Sequence, residues 1–413
     1  MGTKRKRSSQ GNVAVAPPAK KLNKNKTKET IKPGKKQKAV SKAAPPLELD
    51  ASPFVNDPRG AELKREVQLY DILGSEDSSE RLQAATAIIS GLLHAEGVEE
   101  ATLQRHLERR LFRGLASGRK GARLGYSIVV TELLGQLFGE KALALDQYSG
   151  LTFEKVLGFL VTKTKPEGDL SGQEEKDHHF GLLFGLQSFV RAKIIFKDEV
   201  RWKNILEKLL ELAKRKPWIR EECGWVIIEA LAQLEEVQVI YTLEQLVEAG
   251  LALTPEGVGI WLTARNKHQT ANFPIKPWGK SSNPLDNLQL LSKALKESSS
   301  NEESTAQAQS VKSGSWNPQL HFVWNLVLSQ YAEGTTGSSD FEHFWKVAVD
   351  GVFTLPPNYA LTNTNRQLIF CDCIQGTKVL GFCTFPESPT RPSIQESFWQ
   401  HLQSQPCTVF DKS

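Results

Sequence analysis

The sequence predicts an all-α protein: a HEAT/armadillo-like helical-repeat solenoid with a disordered basic arm at its N-terminus. Three observations lead there. From Glu62 onward, apolar residues recur three or four positions apart, the period of a helix with one buried face. The strict alternation expected of strands is rare. Helical stretches of roughly 15–20 residues follow one another across short linkers, the pattern of stacked two-helix repeats. No sharp sequence period accompanies them, so a non-repetitive helical bundle is the competing architecture.

The arm comes first. Residues 1–46 hold fourteen Lys or Arg against one acid, Glu29, a net charge of +13. They contain no aromatic residue and five prolines (Pro17, Pro18, Pro33, Pro45, Pro46), too little apolar surface to offset the entropy of ordering. Lys4, Arg5, Lys6 and Arg7, followed by Lys20 and Lys21, have the spacing of a bipartite nuclear import signal. The same charges attract nucleic acid by releasing counterions from phosphate, which gives affinity without specificity. The rest of the 413-residue chain holds 38 basic and 46 acidic residues, a net −8. The whole chain is 39% hydrophobic and 24% charged, so most of it can build a core.

The helices then follow in order. Leu63, Val67, Tyr70 and Leu73 form a first stripe. Leu82, Ala85, Ile88, Ile89, Leu92 and Leu93 form a second, capped by Ser78-Ser79-Glu80 and stopped by Gly97. Further helices are predicted at 99–115, 119–138, 151–162, 174–196, 198–215, 217–235, 238–250, 255–265, 284–297, 318–330 and 340–349. A break at 163–173 holds Pro166, Gly168 and Gly172. Residues 266–283, with Pro274, Pro277 and Gly279, read as a surface loop, and 298–315 as a flexible insertion. The helical body is therefore assigned to residues 55–350.

One stretch stands out chemically. Between Leu107 and Leu134 a helix, a Gly/Ser break and a second helix carry Arg109, Arg110, Arg113, Arg119, Lys120 and Arg123 around one corner. Leu107, Leu111 and Leu115 are the expected inner face of the first helix, and Leu124, Ile128 and Leu134 that of the second. Six cations at one corner make a candidate phosphate-binding surface, because guanidinium groups donate to phosphate in bidentate pairs. The competing role is structural, with the same cations capping helices and pairing with Glu108 and Glu132.

This stretch resembles a known family. Arg113-Gly-Leu-Ala-Ser-Gly-Arg-Lys-Gly-Ala-Arg-Leu-Gly125, followed by Ser127 and Thr131-Glu-Leu-Leu134, is similar to the N-terminal signature of the nucleolar DNA polymerase phi / Myb-binding protein 1A family, called the DNA polymerase V family in fungi. Gly181-Leu-Leu-Phe-Gly-Leu-Gln-Ser-Phe189, Lys216-Pro-Trp-Ile-Arg-Glu-Glu-Cys-Gly224, Leu320-His-Phe-Val-Trp324 and Phe344-Trp-Lys-Val347 agree with it. The resemblance implies a nuclear, mostly nucleolar helical-repeat protein. Its implied roles are ribosomal DNA binding, control of ribosomal RNA transcription and ribosome biogenesis, with nucleolar and transcription proteins as partners.

The residues themselves do not read as an enzyme. A DNA-directed DNA polymerase needs carboxylates holding two metal ions at fixed positions. Asp57, Asp71, Asp77, Asp177, Asp198, Asp286 and Asp350 are instead scattered over helices and loops. His178 and His179, beside Glu174, Glu175 and Asp177, read as a solvated helix start rather than a metal site. No phosphate-cradling Gly-rich loop precedes a Lys-Ser or Lys-Thr, and Gly91, Gly97 and Gly114 read as helix punctuation. Neither Cys223 nor any serine has a nucleophile's context. Trp202, Trp218, Trp225, Trp261 and Trp324 could stack on bases, but their helical settings favour packing. No cofactor and no small-molecule substrate is expected. No run approaches the roughly 20 apolar residues of a membrane span, so no membrane partner is expected either. The sequence thus predicts a non-catalytic scaffold binding ribosomal DNA, proteins or both. A protein-only module of ribosome assembly is the second reading and a polymerase the third.

After Asp350 the texture changes. Cys371, Cys373, Cys383 and Cys407 fall close together, Pro356, Pro357, Pro386, Pro389 and Pro392 interrupt every pattern, and the helical period stops. Residues 351–413 read as a retained intron followed by an out-of-frame exon. Synonymous codons exist that, read one base later from Arg366, give a helix-like segment similar to what the family carries after Phe-Trp-Lys-Val. Such a tail is expected to fold poorly. A divergent natural C-terminus is the competing reading. Transcript sequencing across the codons for Asp350 to Arg366 is expected to find spliced reads in a second frame; unspliced reads alone would leave the divergent terminus.

Overall fold

The chain divides into two units, residues 1–46 and 47–413. The computed structural model describes residues 49–94, 98–279, 281–296, 298, 321–332, 341 and 343–349, all in the second unit. The basic arm with Lys4, Arg5, Lys6, Arg7, Lys20 and Lys21, the insertion at 299–315 and the tail at 351–413 lie outside them.

Among the described residues every regular element is helical. The order is α1 (Ala61–Leu73), α2 (Ser78–Ile89), α3 (Glu100–His106), α4 (Arg113–Leu115), α5 (Lys120–Phe138), α6 (Leu143–Asp146) and α7 (Phe153–Thr164). Then come α8 (Gly172–Arg191), α9 (Glu199–Arg215), α10 (Arg220–Leu231), α11 (Glu236–Glu248), α12 (Pro255–Lys267), α13 (Leu288–Lys296) and α14 (Val323–Ala332). A π-helical turn extends α2 over Ser90–His94, another joins α3 to α4 over Leu107–Phe112, and a third forms at Trp345–Val349.

Local chemistry explains the helix starts. Asp77, Thr152, Ser171, Asp198 and Thr254 accept backbone N–H groups at the heads of α2, α7, α8, α9 and α12. Each satisfies a donor that the helix itself leaves without a partner. At α8, Ser171 and Glu174 form a reciprocal capping box. The cap of α2 is thus Asp77, one residue before the predicted Ser-Ser-Glu start.

Packing runs from helix to helix. α2 lies on α1 and α5, α5 on α8, α8 on α10, α10 on α12, and α12 on α14. A second set fills in beside them: α7 against α8 and the Leu107–Phe112 turn, α9 against α10 and α11, α11 against α12, and α13 against α12. Fully buried tryptophans join elements in sequence order. Trp202 of α9 donates its indole N–H to Thr242 Oγ1 of α11 at 2.9 Å. Trp261 of α12 donates to the Ser282 carbonyl at 2.7 Å and meets Trp278 edge-on at 5.9 Å.

Four expectations need correction. On α1 the buried stripe is Glu66, Leu69, Tyr70 and Leu73, while Leu63 and Val67 are exposed. On α2 Leu82 is exposed, although Ala85 and Ile88 are buried. On α5 Leu124 and Ile128 are exposed; the inner face carries Ala122, Val129, Val130, Leu133, Leu134 and Leu137. The described residues of 268–283 hold no helix, but they are not merely surface, because Phe273 and Trp278 plug the core.

The α5 correction has a steric cause. Gly125 touches the Leu73 carbonyl at the end of α1, and a Cβ on Gly121 would stand 2.6 Å from the Ser75 carbonyl. These two glycines face the α1–α2 junction at backbone distance, which rotates Leu124 and Ile128 outward. Gly125→Ala is expected to destabilise the body by about 1–3 kcal/mol through overpacking, read as a lower urea midpoint. Gly158→Ala, with open space around its Cα, is the matched control and should leave the midpoint unchanged or raise it.

Candidate nucleic-acid interface

The predicted corner forms, but its six cations separate into two groups. α3 and the π turn carry Arg109 and Arg110, α4 starts at Arg113, Arg119 precedes α5, Lys120 opens it, and Arg123 follows one turn on. Leu107, Leu111 and Leu115 are fully buried and fix the first helix, as the sequence predicted.

Arg110 and Arg123 are internal fasteners. Arg110 donates its Nε–H to Glu66 Oε1 at 2.7 Å and lies over the Tyr70 ring at 5.8 Å. Arg123 is buried and bonds Asp177 Oδ1 of α8 at 3.2 Å and the Ser117 carbonyl. Neither Glu108 nor Glu132 takes these cations. Glu108 instead pairs with Lys163 at 3.5 Å, and Glu132 accepts from Gln136 at 2.7 Å.

Glu66 is the centre of the first fastener. Its carboxylate is fully buried and meets Arg105 at 2.8 Å, Arg110 at 2.7 Å and His106 Nε2 at 3.6 Å. Burial alone would push this carboxyl up. The Arg105 hydrogen bonds and charge and the Arg110 hydrogen bond outweigh burial and hold it below its usual range. For buried His106, desolvation dominates and pushes the ring down to about 3, so it is neutral. Arg105 approaches His106 Nε2 at 2.8 Å and can only donate. Nε2 therefore accepts, and Nδ1–H donates to the Tyr70 hydroxyl oxygen at 2.8 Å.

Arg109, Arg113, Arg119 and Lys120 are exposed. Arg119 reaches across the C-terminal end of α1, where a Cβ on Gly74 would stand 2.8 Å from its guanidinium nitrogen. A cation there complements the helix dipole. The corner is not purely positive, since exposed Asp71 and Glu76 border it and Glu76 lies beside Gly121 at the head of α5. Gly114 is a close-packing position rather than punctuation, because its Cα lies against the Tyr126 ring. What this arrangement can do is present four exposed positive groups to an extended anion.

The other candidates have structural occupations. Asp77 and Asp198 cap helices, Asp177 holds Arg123, Asp57 pairs with Arg59, and Asp286 accepts from Asn283. Asp350 lies outside the described residues. Among the described residues no group of three or more His, Cys, Asp or Glu is placed to hold a metal ion. His179 pairs with Glu175 at 3.3 Å, and His178 Nδ1 faces the Thr164 carbonyl at 3.2 Å. Cys223 is buried, and burial pushes its thiol up, away from nucleophilic use. No helix among the described residues is long and apolar enough to cross a membrane.

Sequence reasoning missed Glu66. Its one signal is position: it falls three and four residues before Leu69 and Tyr70, on a stripe that purely apolar reading phases differently.

With this geometry in hand, comparison with known proteins is informative. The profile of the family described as DNA polymerase phi matches residues 106–355. The chain is 28% identical over 306 residues to the rDNA transcriptional regulator pol5 of Schizosaccharomyces pombe, covering 70% of this chain and 29% of that protein. It is 28% identical over 388 residues to the rDNA transcriptional regulator POL5 of Saccharomyces cerevisiae, covering 80% of this chain and 37% of that protein. The chain thus spans about a third of the length of the curated relatives it matches. No solved structure matches it.

The fasteners make stability depend on pH. The folded pKa of His106 lies below its ordinary 6.5, so the unfolded chain takes up that proton first. Its contribution is complete above about pH 6.5 and is lost as pH falls toward 3, at up to about 1.4 kcal/mol per pH unit. Glu66, also depressed, adds loss only below its ordinary 4.5. Urea denaturation between pH 7.5 and 5 is expected to show a decline that His106→Gln largely removes. An equal decline in both proteins would exclude His106 as its source.

Proposed function

The chain belongs to the DNA polymerase phi family, and from that premise we propose that it is a non-catalytic nuclear, nucleolar scaffold acting in ribosomal RNA transcription control and ribosome biogenesis. Both relatives are named rDNA transcriptional regulators, which supports the regulatory role. They weigh against the polymerase that the family's description suggests, as do the separate structural uses of Asp57, Asp77, Asp177, Asp198 and Asp286.

In this reading the helix pairs stack as a HEAT/armadillo-like solenoid over residues 55–350. The run of contacts α2–α5–α8–α10–α12–α14, with α7, α9 and α11 alongside, supports that architecture. The arm at 1–46 supplies nuclear import through Lys4, Arg5, Lys6, Arg7, Lys20 and Lys21 and a diffuse attraction to phosphate. Residues 351–413 are the out-of-frame tail; the family match leaves 356–413 outside.

The observation that carries the nucleic-acid reading is the corner itself. Arg109, Arg113, Arg119 and Lys120 are exposed together on a backbone clamped by Glu66 and Asp177. A guanidinium presents a planar fork of donors that matches phosphate. Ribosomal DNA is the proposed ligand, bound through its backbone, with nucleolar and transcription proteins as further partners of the helical surface.

The experiment follows from the split between fasteners and free cations. Changing Arg109, Arg113, Arg119 and Lys120 to Ala should leave the fold intact. It should flatten the salt dependence of duplex DNA binding by roughly three to four units of log K against log[salt], at about 0.9 per lost phosphate contact. Changing Arg110 and Arg123 should instead lower stability. An unchanged salt slope in the fourfold variant would remove the corner from the interface and leave the arm as the nucleic-acid contact. Binding abolished by deletion of residues 1–46 alone would favour a protein-only body.

A further inference from the structure

Three described tryptophans, Trp218, Trp225 and Trp345, are half-buried, and Trp218 is the one in the α9–α10 turn. Trp202, Trp261, Trp278 and Trp324 are at most 1% exposed. Trp218 is only half-buried, in the short 3₁₀ turn Pro217–Ile219 between α9 and α10. Its backbone is held firmly: Pro217 fixes the turn's first φ and Ile219 is fully buried beneath it. Phe180 of α8 meets the indole edge-on at 5.4 Å and His179 lies tilted at 6.2 Å.

Cations flank this ring in the chain, and one lies over it. Lys214, Arg215 and Lys216 precede it in the chain and Arg220 follows. Lys176 places its ammonium 5.2 Å from the ring centroid. Some of this charge is answered locally, as Glu175 takes Lys216 at 2.5 Å and Glu211 takes Arg215 at 2.9 Å. Glu174 is also exposed at the start of α8.

The turn is continuous with the arginine corner through one helix. Asp177 of α8 binds Arg123, and a Cβ on Gly118 would stand 2.9 Å from its carboxylate. A Cβ on Gly181 would stand 2.8 Å from the Ala116 amide nitrogen. Between these positions, Phe180 carries Arg123 over its ring at 5.2 Å on one side and Trp218 on the other. Residues 177–181 therefore link four exposed cations to a half-exposed aromatic ring.

We propose that the α9–α10 turn is a stacking platform for single-stranded nucleic acid, with Trp218 as the ring on which a base lies. The inference rests on the reading that the body contacts phosphate, and it specifies the strand state. A duplex hides its base faces within the stack and can offer the body only phosphate. A single strand offers both phosphate and an open π-face, which is the combination this surface presents. Lys176, whose ammonium stands 5.2 Å from the ring centroid, would lie beside the phosphate adjoining a stacked base.

The test uses the full chain and three probes: a ~12-nucleotide oligothymidylate, the matching oligouridylate, and a duplex of equal length. Trp218→Ala is expected to weaken at least one single strand about tenfold and to change duplex binding less than twofold. The difference should persist at raised salt, where the arm and corner contacts are screened. Trp218→Phe keeps a stacking ring and should restore most of the loss. Which oligomer responds tells whether the strand is DNA, RNA or either. The platform is overturned by equal weakening of duplex and single strands, by no weakening, or by a Phe variant as poor as Ala at unchanged melting temperature. The fourfold corner variant separates the two readings. If it changes no probe while Trp218→Ala weakens the single strands, the corner is lost and the platform stands.

Discussion

The N-terminal end of the body depends on a carboxylate that cannot reach water. Removing Glu66 from solvent costs several kcal/mol unless its charge is met by hydrogen-bonded partners. Arg105 and Arg110 meet it, and neutral His106 closes the site against Tyr70. These partners sit 39 to 44 residues away in the chain, so the pairing forces α1 onto α3 and the following π turn. That placement sets the direction in which the next residues leave. Arg113, Arg119 and Lys120 face solvent because the segment before them is pinned from below, and Asp177 pins the segment after them through Arg123.

The same logic explains why cations of one type have different roles. Arg109 and Arg110 are neighbours in sequence, yet one is exposed and the other grips a buried acid. A count of positive residues at a corner measures local composition. Which of them are available to a ligand depends on acids contributed by distant helices, here α1 and α8. The chain beyond the arm carries a net −8, and even the corner is bordered by Asp71 and Glu76, so cations exposed together on one face are a restricted set.

Much of the fold was legible in the sequence because helix propagation is local. Apolar spacing and breaks at Gly and Pro placed α5, α7, α9, α10 and α12 within a few residues of where they lie. The facing of the helices was less legible. α1 hides Glu66 and exposes Leu63 and Val67, because a charge met by two arginines can occupy a core position that an apolar reading gives to leucine. α5 exposes Leu124 and Ile128, because Gly121 and Gly125 admit the α1–α2 backbone on the adjoining side. Both depend on partners about fifty residues away or nearer, and no spacing rule within one helix contains them. The six-cation corner was visible as a cluster; its division into fasteners and exposed groups was not. Trp218 was visible as a motif residue, but only the depth of burial separates it from Trp202 and Trp261.

The first half of α8 then carries more of the functional argument than any cationic residue. Asp177 locks Arg123, Gly181 lets the helix cross the corner at backbone distance, and Phe180 supports Trp218. The corner at α5 and the turn before α10 are both held by α8, through Asp177 and Phe180. A small anion would need only one of these places. In the proposed reading, one cationic and one aromatic place tied to the same helix suit a polymer that repeats a charge and a flat ring along its length.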